Sequence, residues 1–342
     1  MNLQDLPTPC LVLNKPKLLG NLEAMAQRAS AHGVAPRITV STLAEARYFI
    51  DNGIGDITYA VGIAPGKLAG LCDLSESGVE IGLITDNGWA AQAVSDQATE
   101  HGLEFALHIE IDCGGRRGGL APQAPELIAL AQLINDNPGT RLAGVLTHAG
   151  QSYLGASVTE ITAIAETERA AAVTAAERLR AAGLPCPIVS VGSTPTARFA
   201  ATLDGVTEIR PGVYVFMDLT QAALGVCEPD DIAISVLASV IGQRPELGRI
   251  LTDAGALAMS QDGSLPGFGR LAEAPHLTVG AVYQEHGVLE TAAPEDFEAL
   301  GLGSRVRILP NHACMTAAMY DAYHVVDDDG AVLDRWQRCH GW

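Results

Sequence analysis

Residues 142–194 read "LAGVLTHAGQSYLGASVTEITAIAETERAAAVTAAERLRAAGLPCPIVSVGST". An apolar run (LAGVLTH, 142–148) gives way to an alanine-rich stretch of helical period (TEITAIAETERAAAVTAAERLRAAG, 159–183), and that to a second β-branched run (PIVSVG, 187–192). The hydrophobic repeat changes from that of a buried strand to that of a helix and back, which is the pattern of a βαβ unit with parallel strands. The same alternation extends outward. RITVS (37–41), DITYA (56–60), EIGLIT (80–85), FALHIEI (105–111) and VTEIR (206–210) are further strand candidates. Helical stretches such as TLAEARYFIDNG, NGWAAQAVSDQATEHG, APELIALAQLINDN and TPTARFAATLDG separate them. The count is seven strands, one short of the roughly eight that close a (β/α)8 barrel. The shortfall falls after the helix LLGNLEAMAQRASAHG (18–33), which runs straight into VAPRITVS.

Beyond residue 230 the texture changes. IAISVLASVIG, RILTDAG, HLTVGAVYQEHGVLE, SRVRILPNHAC and YHVVDDDGAVLDRWQR read as strands without helices between them, and DDDG (327–330) reads as a hairpin turn. The expected class is α/β, with a (β/α)8 barrel over residues 15–225. A mostly antiparallel β domain is expected from residues 1–14 and 226–342, CLVLN (10–14) joining it.

Composition narrows the classes. No apolar run reaches the roughly 18 residues of a membrane span, and MNLQDLPTPC lacks the basic start and apolar core of a signal peptide. A soluble cytoplasmic protein is expected. The seven cysteines are scattered and never form C-x-x-C, which points to reduced thiols. With 21 Lys+Arg against 40 Asp+Glu, the net charge of -19 offers no footprint for nucleic acid or an anionic membrane. Only three lysines occur: Lys15, Lys17 and Lys67.

Barrel enzymes carry their chemistry at the C-terminal ends of the strands. There this sequence places Arg117 after FALHIEI, His148 and Tyr153 after LAGVLT, Gly192-Ser193-Thr194 after PIVSV, and Arg210, Gly212, Val213 and Tyr214 after VTEI. A Gly-Ser-Thr turn opening a helix cradles a phosphate or simply caps the helix. Asp112 is a strand-end carboxylate of open role. In LPNHACMT (309–316), His312 and Cys314 are separated by one residue, which on a strand turns both to one face. Imidazole and thiolate suit a first-row metal ion. The plainer alternative is a buried cysteine beside a hydrogen-bonded histidine. His324 and His340 read as structural.

The segments TPCLVLN, ITVSTLAEARYF, IEIDCGGRRGG, GVLTHAGQSY, GLPCPIVSVGSTPTA, LDGVTEIRPGVYVFMDL, QEHGVL, ILPNHAC and the final HGW follow in order along most of the chain. In them the chain resembles the D-threonine aldolase and D-serine dehydratase family of fold-type III pyridoxal-phosphate enzymes, whose N-terminal domain is the alanine racemase-like barrel. The resemblance implies a lyase that acts on a β-hydroxy-D-amino acid with pyridoxal 5'-phosphate and a divalent metal (Zn, Mn, Mg or Co). It implies His312 and Cys314 as metal ligands. Gly192, Ser193 and Thr194, with Gly212, Val213 and Tyr214, would bind phosphate. Arg210 would stand at the pyridine nitrogen, with Arg117, His148 and Tyr153 around the reacting groups. Aldolases of the group tend to carry His-x-Asp, so the cysteine favours dehydration to a 2-oxo acid and ammonia. Retro-aldol cleavage, racemisation and a non-catalytic cofactor carrier are the alternatives, and a homodimer is implied.

One departure concerns the family's Schiff-base lysine, expected between the first barrel helix and ITVST. This chain reads HGVAPRITVST there, without a lysine. A tract after Pro36 and another near Asp262 that relatives carry are also absent from this sequence; either the chain lacks both, or, as expected here, the sequence is spliced across two mobile segments that border the cofactor pocket. An intact mass of 35.7 kDa marks a chain without them. A mass heavier by a few kDa marks one that has them.

Overall fold

A computed structural model describes residues 1–75, 78–262 and 265–342. The backbone divides into two compact units. One, the sheet unit, comprises Met1–Met25 and Val213–Arg338; the other, the barrel unit, comprises Ala26–Gly212 and Cys339–Trp342. The chain starts in the sheet unit with β1 (Cys10–Asn14) and α1 (Lys15–Ala31), the helix running across the boundary. The divide therefore lies at 25/26 and 212/213 rather than at the changes of texture near 14/15 and 225/226. Packing explains the difference: Leu18 of α1 is buried with Leu13 and Ala233, and Asn21 donates to the carbonyls of Val215 and Asp231.

The barrel unit contains β2 (Ala35–Pro36), β3 (Ile38–Val40), α2 (Leu43–Asp51), β4 (Asp56–Tyr59), α3 (Leu68–Ser75), β5 (Glu80–Thr85) and α4 (Gly88–Glu100). It continues with β6 (Phe105–Glu110), α5 (Glu126–Asp136), β7 (Thr140–Leu146), α6 (Val158–Ala181), β8 (Ile188–Val191), α7 (Thr194–Phe199) and β9 (Glu208–Ile209). All ladders are parallel, in the order β2-β9-β8-β7-β6-β5-β4-β3. The helices begin where polar side chains meet their orphan amides: Thr42 caps α2 with Glu45 returning the bond, Asn87 caps α4 and Ser157 caps α6.

The strand tally is eight, yet β2 and β3 are two halves of one extended run parted by Arg37 alone. The first half pairs with β9 and the second with β4, so residues 35–40 reach both edges of the sheet. The seven strands counted in the sequence are this run and six others. Where a parallel barrel ordinarily inserts a helix between neighbouring strands, this chain has one residue. Arg37 holds the junction, its Nε 2.8 Å from Glu208 of β9 and its other arm on Asp56 of β4.

The rest of the sheet unit comprises α8 (Leu219–Ala223), β10 (Ile234–Arg244), β11 (Arg249–Thr252), α9 (Ala256–Met259), β12 (Arg270–Leu271), β13 (Val279–Val282) and β14 (Gly287–Glu290). After these come α10 (Pro294–Ala299), β15 (Arg305–Leu309), α11 (Ala313–Ala317), β16 (Ala322–Val326) and β17 (Val332–Gln337). The sheet runs β13-β14-β11-β10-β1-β16-β17, with β15 between β10 and β12. Only β1 and β16 pair in parallel. The DDDG turn joins β16 to β17, Asp327 accepting the amides of Asp329 and Ala331. The missing tract near Asp262 abuts Gly263 and Ser264, which lie outside the described residues. Among the described residues no helix is long and apolar enough to cross a membrane.

Candidate functional site

In the barrel unit the C-terminal ends of β6, β7, β8 and β9 carry the polar groups. Arg210 is buried and held twice, its Nε 2.7 Å from Ser190 Oγ and its terminal nitrogen on the Thr147 carbonyl. Burial pushes its guanidinium below the ordinary value, while the nearby Glu168, Glu208 and Glu110 carboxylates pull it back. His148 Nδ1 lies 2.8 Å from the Gly192 carbonyl. A carbonyl accepts, so Nδ1 carries the proton of the neutral ring and Nε2 is left as an acceptor. Burial holds His148 down to about 4, so the ring is neutral at pH 7. Tyr153 lies beside it, ring centroids 6.4 Å apart. Arg117 is exposed, and a Cβ placed on Gly150 would meet both Arg117 and His148 at just under 4 Å.

The Gly-Ser-Thr turn is tightly built. Gly192 has φ +130, and a Cβ there would come 2.9 Å from the Arg210 amide, so only glycine fits. Ser193 caps α7, exchanging bonds with Thr196, and its Oγ is 2.8 Å from Ser152 Oγ. Ser193 and Thr194 are both buried. Beneath them sits Glu168 of α6, 1% exposed. Its Oε1 accepts the amides of Ala149 (2.7 Å) and Gly192 (3.1 Å), tying the β7 and β8 loops to one carboxylate. Burial raises the Glu168 carboxyl pKa, against hydrogen bonds from Thr196 and the two amides. Gly212 ends the barrel unit, whereas Val213 and Tyr214 begin the sheet unit. Asp112 accepts the amides of Gly114 and Gly115 and shapes the loop that presents Arg117.

The stability contributed by neutral His148 follows from its depressed pKa. It is complete above 6.5, the ordinary value, and is lost as pH falls through about 4. The loss amounts to roughly 3 kcal/mol. Urea unfolding at pH 7 and pH 4 is expected to show a shallower acid decline in His148→Gln; equal declines would mean that the ring is not held neutral.

In the sheet unit His312 and Cys314 are not on a strand, contrary to the reading of LPNHACMT. The ladder of β15 ends at Leu309 because the next carbonyls, of Pro310 and Asn311, accept the amides of Leu219 and Thr220. His312 becomes the N-cap of α11, and Cys314 stands in its first turn. The two side chains nevertheless lie close enough to interact electrostatically. Hydrogen bonding to Cys314 lifts His312 to about 9 against its burial, with Asp262 adding to the rise. Asp262 Oδ2 is 2.5 Å from His312 Nδ1, the carboxylate–histidine arrangement that leaves Nε2 for a metal. Behind them buried Asp218 accepts the amides of Ala313 and Gln221 and so caps two helices. The donor set suits a borderline divalent ion. Among the described residues no three His, Cys, Asp or Glu form a closed metal cluster.

For pyridoxal phosphate the fit divides. The rim offers a buried arginine, a neutral histidine, a tyrosine and a close-packed helix-opening turn, which match ring and phosphate chemistry. A covalent anchor is missing. Lys67 Nζ bonds the Tyr59 hydroxyl at 2.9 Å; Tyr59 pairs with Leu83, and Leu83 in turn with Leu107, on the sheet face opposite to Glu110. Lys15 and Lys17 belong to the other unit.

Sequence reading missed Glu168, Asp262 as a partner of His312, and Asp218. Glu168 left a signal: it falls at helical spacing among buried Ile161, Ala165, Ala172 and Ala175, where a carboxylate needs a reason.

Comparison with known proteins adds the following. The alanine racemase N-terminal domain matches residues 20–220 and the serine dehydratase domain residues 233–326. D-threo-3-hydroxyaspartate dehydratase of Delftia sp. (strain HT23) is 43% identical over 99% of each chain. That alignment runs over 378 positions, so at least 36 of them face a gap in this chain of 342. D-serine dehydratase of Dictyostelium discoideum is 30% identical over 100% of this chain and 98% of its own. The solved Delftia dehydratase superposes with a TM-score of 0.96 at 42% identity, covering all of both chains. A cysteine-to-alanine variant of that enzyme, solved in the metal-free form, superposes equally well.

Proposed function

The chain belongs to the family that joins an alanine racemase N-terminal domain to a serine dehydratase domain, and from that premise we propose that it is a lyase that dehydrates a β-hydroxy-D-amino acid to a 2-oxo acid and ammonia. The observation that carries the reading is His312 at the cap and Cys314 in the first turn of one helix, the imidazole backed by Asp262. A racemase has no use for such a pair, whereas loss of a β-hydroxyl is assisted by a Lewis acid that makes hydroxide a better leaving group. Bound pyridoxal phosphate would supply the electron sink that acidifies the α-C–H bond, and the divalent ion would supply the Lewis acid.

The chain's own residues supply the rest. His312 and Cys314 would hold the ion and leave its remaining positions to substrate and water, as a catalytic metal requires. Asp262 bonds the imidazole at Nδ1 and would leave Nε2 to hold the ion. Arg210, kept cationic by three nearby carboxylates, would keep a ring nitrogen beside it unprotonated. His148 has an acceptor nitrogen of set tautomer with which to take a proton. Arg117, exposed and without an ion pair among the described residues, would offer a cation to a substrate carboxylate. Glu168 holds the Ala149 and Gly192 loops in register.

Product analysis with D-threo-3-hydroxyaspartate, D-serine and D-threonine tests the reading. Ammonia and 2-oxo acid are expected in equal amounts, without aldehyde. Aldehyde formed without ammonia would assign the site to retro-aldol cleavage, and inverted substrate alone would assign it to racemisation. A second arm addresses the absent lysine: borohydride reduction with cofactor present is expected to leave the chain at 35.7 kDa. Cofactor fixed to Lys15, Lys17 or Lys67 would overturn the reading that no lysine of this sequence anchors it.

A further inference from the structure

Cations are scarce in this chain, 21 against 40 acids, yet three line one cavity of about 260 Å³ in the sheet unit. They are Lys17, Arg270 and Arg307. The cavity floor is a rung of the sheet. Val12 of β1 faces Ser235 of β10, and Arg270 of β12 faces Leu309 of β15. Arg307, two residues before Leu309, stands on the same face. Lys17 closes the cavity from the first turn of α1, its amide bonded to Asn14 Oδ1 at 2.9 Å.

The three charges are not equally compensated. Arg307 pairs with Glu273 at 2.6 Å. Lys17 and Arg270 make no side-chain hydrogen bond or ion pair among the described residues, and Arg270 Nε is buried without an acceptor. A cationic N–H taken from water without a partner is costly, and native structures rarely leave one so. The single acid in the lining, Asp230, is exposed and pairs with neither. Val12, Leu271 and Leu309 give the same cavity an apolar side.

We propose that this cavity binds a small organic acid, its carboxylate received by Arg270 and Lys17 and its carbon chain lying on the apolar floor. The chemistry is that of a charge-assisted pair, in which a planar guanidinium meets a carboxylate. The site lies within the sheet unit and uses neither His312 nor Cys314.

Calorimetric titration of the full chain with malonate, at constant ionic strength set by chloride, tests the proposal. A saturable site is expected that Arg270→Gln weakens roughly tenfold or more and Lys17→Gln weakens less. His312→Ala is expected to leave it intact, which separates this site from the proposed catalytic one. Without malonate, Arg270→Gln is expected to melt no lower than the parent, because it removes an unsatisfied donor. Absence of saturable binding, or binding unchanged in both the Arg270 and Lys17 variants, would overturn the proposal. Inorganic phosphate binding as tightly as malonate would overturn the organic-acid assignment.

Discussion

Replacing His312 or Cys314 with alanine is expected to remove the bound metal and to lower kcat/KM about 10³-fold, or about 4 kcal/mol of transition-state stabilisation. The size follows from the donor count. Among the described residues no third His, Cys, Asp or Glu completes a closed cluster, so each substitution would take one of only two protein ligands. Metal content per chain, measured by mass spectrometry, is the first readout, and activity after chelation and re-addition of zinc, manganese or cobalt is the second. Asp262→Asn should cost less, roughly 10- to 100-fold in metal affinity, because it removes only the partner that orients the imidazole. Cys314→Asp should keep an ion but shift preference from zinc towards magnesium or manganese, since a carboxylate is the harder ligand. Unchanged metal content and activity in both alanine variants would return the pair to a helix cap and an exposed thiol.

The second large effect is expected in the barrel unit. Glu168→Ala leaves the buried amides of Ala149 and Gly192 without their acceptor. Two such orphans cost together about 4 kcal/mol, read as a lower urea midpoint. Glu168→Gln separates acceptor from charge. Burial raises the folded pKa of Glu168, so its contribution is complete below the ordinary carboxylate value and declines as pH rises through the folded one. The glutamine variant keeps an oxygen for both amides and does not ionise. It is expected to match the parent in acid and to equal or exceed it at neutral pH. If the glutamine variant loses as much as alanine at pH 7, the charge towards Arg210, not the acceptor, is what holds the loops.

The sequence revealed most of the strands and the rim because local signals coincide there with tertiary ones. Strands β5, β6 and β7 are apolar runs bounded by helical stretches, and Arg117, His148, Gly192 and Arg210 follow such runs within a few residues. Other features depend on partners far along the chain. The end of β15 is set by the amides of Leu219 and Thr220, so the spacing in LPNHACMT suggested a strand where a helix begins. Asp218 reaches Ala313 over 95 residues of sequence, and no local pattern announces it. Glu168 was legible in principle, as a carboxylate on an alanine face. Arg37 reads as the first residue of an ordinary strand, and its place at the seam is visible only from the ladders on either side.

That seam makes the two edges of the eight-stranded sheet covalently one: residues 35–36 pair with β9 and residues 38–40 with β4, so a single residue of backbone tethers edges that a helix would otherwise join. At that place the chain puts a forked cation between two carboxylates, Arg37 with Glu208 and Asp56.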